Sequence, residues 1–353
     1  MTPALLINGR FVTQSLSGVQ RFAIETTRAL MARNARVALL TPPGGNLAWP
    51  GASEIGKRQG QIWEQLELPL HAQDRLLINL GNTGPLLAGR QIVVIHDAGV
   101  FSTPDAYSRT FRLWYKFVQK ALIRRQATIV TVSSFSRSEI ARHLSLPEPL
   151  IRVMPEGADH MRRIASEPGV LGANGLLPGR FVLGVGTLSA HKNLAALGKL
   201  AGQLHARGTP LVIAGGMGGA AFNTADESRL PQPARYIGRV SDAELKALYE
   251  AAGCFVFPSR YEGFGLPPVE ALACGCPVAC ADIPALRESC AEAALYFDRN
   301  DPAQIAESVS SILDTPSQQD RLRAAGRARA AQLTWASAAA ILESIAMEVL
   351  ERR

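Results

Sequence analysis

Two carboxylates with seven residues between them, Glu262 and Glu270, bracket the segment Pro258-Ser259-Arg260-Tyr261-Glu262-Gly263-Phe264-Gly265-Leu266-Pro267-Pro268-Val269-Glu270. The segment follows a strand-like apolar run, Cys254–Phe257. Gly263 and Gly265 free the backbone for close approach to a ligand, and Pro267 and Pro268 suit the first positions of a helix. The loop therefore ends at a helix N-terminus, where unpaired N–H groups and the helix dipole favour an anion. Ionised carboxylates only accept hydrogen bonds, and sugar hydroxyls can donate them. Phosphate and hydroxyls together describe a nucleotide sugar. The plain alternative is an ordinary strand–loop–helix joint with Glu270 in the first helical turn, matched to the dipole.

Other segments offer weaker chemistry. In Phe181–Asn193 (FVLGVGTLSAHKN), Gly186 and Thr187 fall at the carboxyl end of a predicted strand. Lys192 falls just before a helix, as a point charge for a diphosphate or as a solvated loop lysine. Gly18 precedes the first predicted helix and is a further phosphate contact of common type. His96 ends the apolar run Val93-Val94-Ile95 and precedes Asp97. It could donate to a sugar hydroxyl or move a proton, or be satisfied locally by Asp97. Two patterns mislead. Gly216–Ala221 matches G-x-G-x-x-A, but Phe222–Asp226 reads as loop where the dinucleotide fingerprint needs a helix. Cys254, Cys274, Cys276, Cys280 and Cys290 contain no C-x-x-C pair, so reduced, mostly buried thiols are expected rather than zinc.

These residues need a scaffold, and 353 residues predict two domains. The chain is 47% hydrophobic and 19% charged, which excludes a disordered tail. No run of about 18 uninterrupted apolar residues predicts a membrane span, and Met1–Arg10 lacks the basic flank of a signal peptide. The net charge of +7 is uneven: residues 1–165 hold 20 Lys and Arg against 11 Asp and Glu, and the rest holds 17 against 19. Within the basic part, Arg109–Arg125 has a helical stripe of Arg112, Lys116, Lys120 and Arg124, with Phe111, Trp114, Phe117 and Val118 largely elsewhere on the helix. Such a helix could lie on an anionic membrane surface or bury its aromatic side in a core. Nothing else suggests a nucleic-acid module.

Strand-like and helix-like runs alternate. Predicted strands are Ala4–Ile7, Arg36–Leu40, Arg75–Leu80, Gln91–His96, Thr128–Ser133 and Ile151–Met154, then Phe181–Val185, Leu211–Ala214, Tyr236–Ile237, Cys254–Pro258 and Pro277–Ala281. Their continuous Val/Ile/Leu character suits parallel strands buried on both faces. Glu167–Gly179, rich in Gly and Pro, reads as the linker. The expectation is an α/β protein with two doubly wound, Rossmann-like domains, 1–168 and 169–333, with the ligand in the cleft between them. A last helix, 334–353, is expected to cross back to the first domain.

Five signatures in order, SGVQRF, the VTVSSFS run at Val130–Ser136, VGTLSAHKN, YIGRVSDAELKALY and PSRYEGFGLPPVEALACGCPVACADIPALRE, resemble the retaining glycosyltransferases of family 4, which have the GT-B fold. The resemblance is strongest over Val185–Phe297. It implies that Glu270 binds the nucleotide ribose and that Glu262 contacts donor-sugar hydroxyls near the amides of Gly263, Phe264 and Gly265. It further implies that Lys192 binds the diphosphate with Gly186, that Gly18 approaches it, that His96 lies near the reacting carbon, and that Gly238, Arg239 and Val240 border the base. Many members carry Arg where this chain has Thr187, so a cation is missing there unless Arg260 substitutes. The implied activity is hexosyl transfer, with GDP-mannose favoured as donor, to a lipid-linked or saccharide acceptor of surface polysaccharide. No cofactor or metal is implied. The site of action would be the cytoplasm, peripherally on the inner face of the cell membrane, with Arg112, Trp114, Lys116, Lys120 and Arg124 toward membrane or acceptor. A sugar-nucleotide epimerase or phosphorylase would instead isomerise or phosphorolyse its substrate, and a non-catalytic nucleotide-binding membrane adaptor would transfer no sugar.

Overall fold

The computed structural model describes residues 5–34, 36–45, 49, 51–216 and 230–351. Their strands are β1 (Leu5–Asn8), β2 (Val37–Thr41), β3 (Ala52–Glu54), β4 (Leu76–Asn79), β5 (Gln91–Val94), β6 (Thr128–Thr131) and β7 (Ile151–Val153), followed by β8 (Val182–Val185), β9 (Leu211–Ala214), β10 (Arg235–Gly238), β11 (Cys254–Phe257), β12 (Val278–Ala281) and β13 (Ala294–Phe297). They form two wholly parallel sheets, ordered β3-β2-β1-β4-β5-β6-β7 and β10-β9-β8-β11-β12-β13. The central strands are apolar and buried, as parallel strands between helical layers must be. The strand order reverses between β1 and β4 in one sheet and between β8 and β11 in the other. Loops leaving the carboxyl ends of those pairs diverge to opposite faces and open a crevice.

The chain divides into two compact units, Met1–Phe101, Arg112–Gly157 and Thr334–Arg353 in one, Ser102–Phe111 and Ala158–Leu333 in the other. The boundary near residue 168 drawn from the sequence is thus corrected to Gly157/Ala158. Glu167–Gly179 is not a linker. It holds a short helix, Gly169–Ala173, and buries Val170 and Leu176. Its backbone is stitched to the Asp242–Ala251 helix, with Glu167 N–H donating to Ala243 O (3.1 Å) and Gly179 N–H to Ala251 O (2.7 Å). Its glycines serve turns: Gly175 and Gly179 have φ of 58° and 74°.

In the first unit the Trp335–Glu351 helix packs on the Gly18–Arg33 helix, burying Ala338, Ala339, Leu342 and Ile345. Arg152 forms a two-bond pair with Glu348 (2.7 and 3.0 Å). Gly157 is obligatory here, since a Cβ would stand 2.4 Å from Trp335 N. One helical stretch, Pro316–Glu351, contains a window long and apolar enough to cross a membrane. It is two helices broken at Leu333–Thr334, and the apolar stripe of the second is the buried one just described.

Candidate active site

The second sheet's reversal point is floored by the loops after β8 and β11. Asn193, held in the left-handed region (φ 55°), donates from Nδ2 to Pro258 O (3.1 Å) and Arg299 O (3.0 Å). Arg260 N–H donates to His191 O (2.8 Å). Residues 191–193 and 258–260 are therefore tied together by direct hydrogen bonds. Beside them Gly215 approaches Gly186 so closely that a Cβ would lie 2.0 Å from the Gly186 carbonyl oxygen. Gly215 N–H also donates to Gly238 O (2.8 Å), so the carboxyl ends of β8, β9 and β10 are joined through glycine backbone.

On this floor Lys192 Nζ meets Glu262 Oε1 at 2.7 Å, and Ser259 Oγ donates to the same oxygen at 2.6 Å. Both charged side chains are largely buried, at 16% and 12% exposure. The Lys192 ammonium also stands 5.2 Å from the centre of the Phe257 ring. Sequence reasoning assigned Lys192 to phosphate and Glu262 to sugar separately; here they are one ion pair. Neighbouring His191 has its pKa lowered to about 4, first by burial and then by Lys192, with Glu262 opposing, so its imidazole is neutral near pH 7. Thr187 Oγ1 lies 3.0 Å from Ser189 Oγ, and the Arg260 side chain is exposed.

The helix after the loop spans Leu266–Ala273, one residue earlier than the sequence suggested. Gly265 carries the turn at φ 94°, where a Cβ would collide with Leu286 at 2.3 Å. No side chain caps the helix, and Pro267 and Pro268 carry no N–H, so among its first three residues only Leu266 has a backbone donor. Because the helix begins at Leu266, Glu270 is its fifth residue, beyond the first turn where the sequence reading put it. Its carboxylate is buried and accepts from His160 Nε2 (3.0 Å) and the Tyr249 hydroxyl (3.4 Å). Burial and the adjacent Glu270 raise the Tyr249 phenol well above its usual value, so it stays a donor. His160, Tyr249, Ser259 and Asn193 were missed as site residues. No spacing relates His160 to Glu270, 110 positions away, and only proximity reveals it.

The remaining expected residues divide as follows. Gly238 takes φ 73° at the end of β10, and the stem of Arg239 lies over Gly216. Residues 217–229, which hold most of the G-x-G-x-x-A match, lie outside the described residues. In the first unit Gly18 begins its helix with open space around its Cα. His96 is buried; its Nε2–H donates to Leu80 O (3.0 Å), and Nδ1 lies 3.5 Å from Glu156. Asp97 does not satisfy it, since Asp97 Oδ1 accepts from Gly99 N–H (2.6 Å). On the Arg109–Arg124 helix, Val118 and Leu122 are core and Trp114 packs against it. Phe117, with Leu113, is exposed beside Lys120 and Arg124. Lys116 lies 4.8 Å over the Phe101 ring. The five cysteines are free thiols, four of them buried.

Two wholly parallel α/β units, the second carrying Lys192, Glu262 and Glu270 on the loops and helix at its reversal point, have the GT-B architecture of glycosyltransferases. The chain belongs to the glycosyl transferases group 1 family, whose profile matches residues 176–329. It is 32% identical over 259 residues, 70% of this chain and 67% of the relative, to O-antigen chain mannosyltransferase B of Escherichia coli. It is 28% identical to the GDP-mannose:cellobiosyl-diphosphopolyprenol alpha-mannosyltransferase of Komagataeibacter xylinus, over 88% of this chain and 79% of that one. Among solved structures, sucrose-phosphate synthase from Thermosynechococcus elongatus aligns over all of both chains with TM-score 0.77 at 20% identity. WaaG, a glycosyltransferase involved in lipopolysaccharide biosynthesis, aligns over 98% of this chain and all of that one with TM-score 0.69 at 15% identity. Likeness at that identity is likeness of fold.

Proposed function

We propose that the protein is a retaining mannosyltransferase that uses GDP-mannose to extend a lipid-linked or saccharide acceptor in surface polysaccharide synthesis. The observation that carries this reading is the Lys192–Glu262 pair beside the uncapped Leu266 helix end, at the reversal point of the second sheet. The relatives named for mannosyl transfer, one of them named for GDP-mannose, support the sugar and the base.

In this reading the bond from the anomeric carbon to the diphosphate oxygen breaks as the bond to the acceptor oxygen forms on the same face. The acceptor proton goes to the departing phosphate. Negative charge grows on the diphosphate, and Lys192, released from Glu262, and the N–H groups of Gly263, Phe264 and Gly265 stabilise it. Glu262, released in turn, accepts from donor-sugar hydroxyls, and Glu270 accepts from the ribose. Gly18, Gly186 and Thr187 line the diphosphate, Gly238, Arg239 and Val240 the base. His96 acts near the reacting carbon, which requires it to use Nδ1 or to let go of Leu80 O.

Glu270→Ala and Lys192→Ala are expected to reduce mannosyl transfer from GDP-mannose by about 10²–10³-fold with the fold retained. Full activity in either would overturn the assignment. The same reading places the enzyme on the cytoplasmic face of the cell membrane, through the exposed Leu113, Phe117, Lys120 and Arg124. Replacing Arg112, Lys116, Lys120 and Arg124 by Gln should reduce co-sedimentation with anionic phosphatidylglycerol vesicles. Unchanged sedimentation would remove the membrane from the proposal.

A further inference from the structure

We infer that His160 and Tyr249 are positioning residues for nucleotide recognition: they fix the Glu270 carboxylate so that its remaining acceptor sites meet the vicinal hydroxyls of a ribose. The inference rests on the reading of Glu270 as the ribose anchor. Glu270 is 7% exposed and His160 2%, and Tyr249 is fully enclosed. A carboxylate cannot donate, so the 3.0 Å contact is His160 Nε2–H donating to Oε1, and the 3.4 Å contact is the Tyr249 hydroxyl donating to Oε2.

The two donors come from different elements, the His160–Arg163 turn and the Asp242–Ala251 helix. Rotation about the last torsion of a glutamate is soft. One donor would leave the carboxyl plane free to turn; one on each oxygen fixes it. A carboxylate has about four acceptor sites, and these bonds occupy one on each oxygen. One site on each oxygen is left, enough to accept from a pair of adjacent hydroxyls. Burial makes the arrangement selective, because a ligand lacking one hydroxyl leaves a desolvated acceptor unmatched.

The test measures calorimetric Kd values for GDP, UDP and ADP, then for the tightest binder against its 2′-deoxy counterpart. The native protein is expected to prefer the ribonucleotide by about tenfold or more. In His160→Ala and in Tyr249→Phe that preference should fall to within about twofold, with 2′-deoxy binding little changed. His160→Gln, which restores a donor, should recover part of it. A purely structural role would instead weaken both nucleotides together and leave the ratio intact. If His160→Ala does not fold, Tyr249→Phe, which removes one hydroxyl and no volume of ring, gives the same readout. A native preference that Glu270→Gln abolishes but that survives unchanged in His160→Ala and Tyr249→Phe overturns the inference and leaves the ribose anchor standing. No native preference, or no binding of any of the three diphosphates, overturns the anchor and the inference with it.

Discussion

The two sheets reverse their strand order at equivalent places, and each reversal carries a glutamate, yet the two glutamates are used differently. In the first unit Glu64, on a π-helical turn at Trp63–Glu67, accepts from Asn8 Nδ2 and Arg10 Nε at Oε2, both at 2.9 Å, and from Thr83 Oγ1 at Oε1 (2.7 Å). Arg10 Nη2 in turn donates to Thr83 Oγ1 (2.9 Å), and Asn8 Nδ2 also reaches Asn79 Oδ1 (2.9 Å). Glu64 is 1% exposed, and its acceptor sites are nearly all used inside the protein. In the second unit Glu262 is held by one lysine and one hydroxyl, with 12% of its side chain exposed. A closed network fixes the backbone around it, whereas a cation shared with a single carboxylate can be recruited by a ligand's phosphate. The same topology thus yields one crevice whose carboxylate is tied up in a network of four partners and one whose carboxylate is held by a single lysine and a single hydroxyl.

The sharpest way to break this contrast is to remove one partner from each. Glu64→Ala should destabilise the protein by about 3–5 kcal/mol in urea unfolding, because it strands the Arg10 guanidinium in the interior. Arg10→Met combined with Glu64→Leu should recover much of that loss. A cost below 1 kcal/mol for Glu64→Ala would show that the first crevice is not a stability element. Lys192→Ala should behave oppositely. Its 10²–10³-fold loss of transfer corresponds to about 2.7–4 kcal/mol of transition-state stabilisation, while urea unfolding should shift by only about 1 kcal/mol. A large stability loss with intact transfer would make the two crevices alike.

Much of this contrast was legible in the sequence, but only on one side. Glu262, Lys192 and the glycines sit in loops bounded by strong strand and helix signals, so their placement at strand ends follows from pattern alone. The family resemblance added roles. The Arg10–Glu64 network was invisible because its bonds span 19 to 73 positions, and periodicity says nothing about which loops meet. The boundary was misplaced for a related reason: Gly and Pro punctuate turns as well as linkers, and only the buried Val170 and Leu176 and the bonds to Ala243 and Ala251 tell the two apart. β3 escaped notice because it is a three-residue edge strand, half exposed, with no apolar run. Glu270 was placed in the first turn because Pro267 was taken as the first helical residue, making it the fourth; the helix starts at Leu266, which makes it the fifth.

The smallest effect sharpens the contrast by acidity. His191 ordinarily titrates near 6.5, and in the folded protein its pKa is about 4, chiefly because it is buried and secondarily because Lys192 stands beside it. The unfolded chain therefore binds a proton first as pH falls. The contribution of His191 to stability is complete above pH 6.5 and is lost progressively between pH 6.5 and 4. At pH 5.5 the loss is about 1 kcal/mol, reaching about 3 kcal/mol when both states are protonated. Urea unfolding at pH 8 and pH 5.5 should show His191→Gln losing less stability across that interval than the native protein by about 1 kcal/mol, whatever the substitution costs at pH 8. Identical losses would mean that the imidazole is not held neutral by the floor of the second crevice, and that the Lys192 charge next to it is screened more fully than its burial implies.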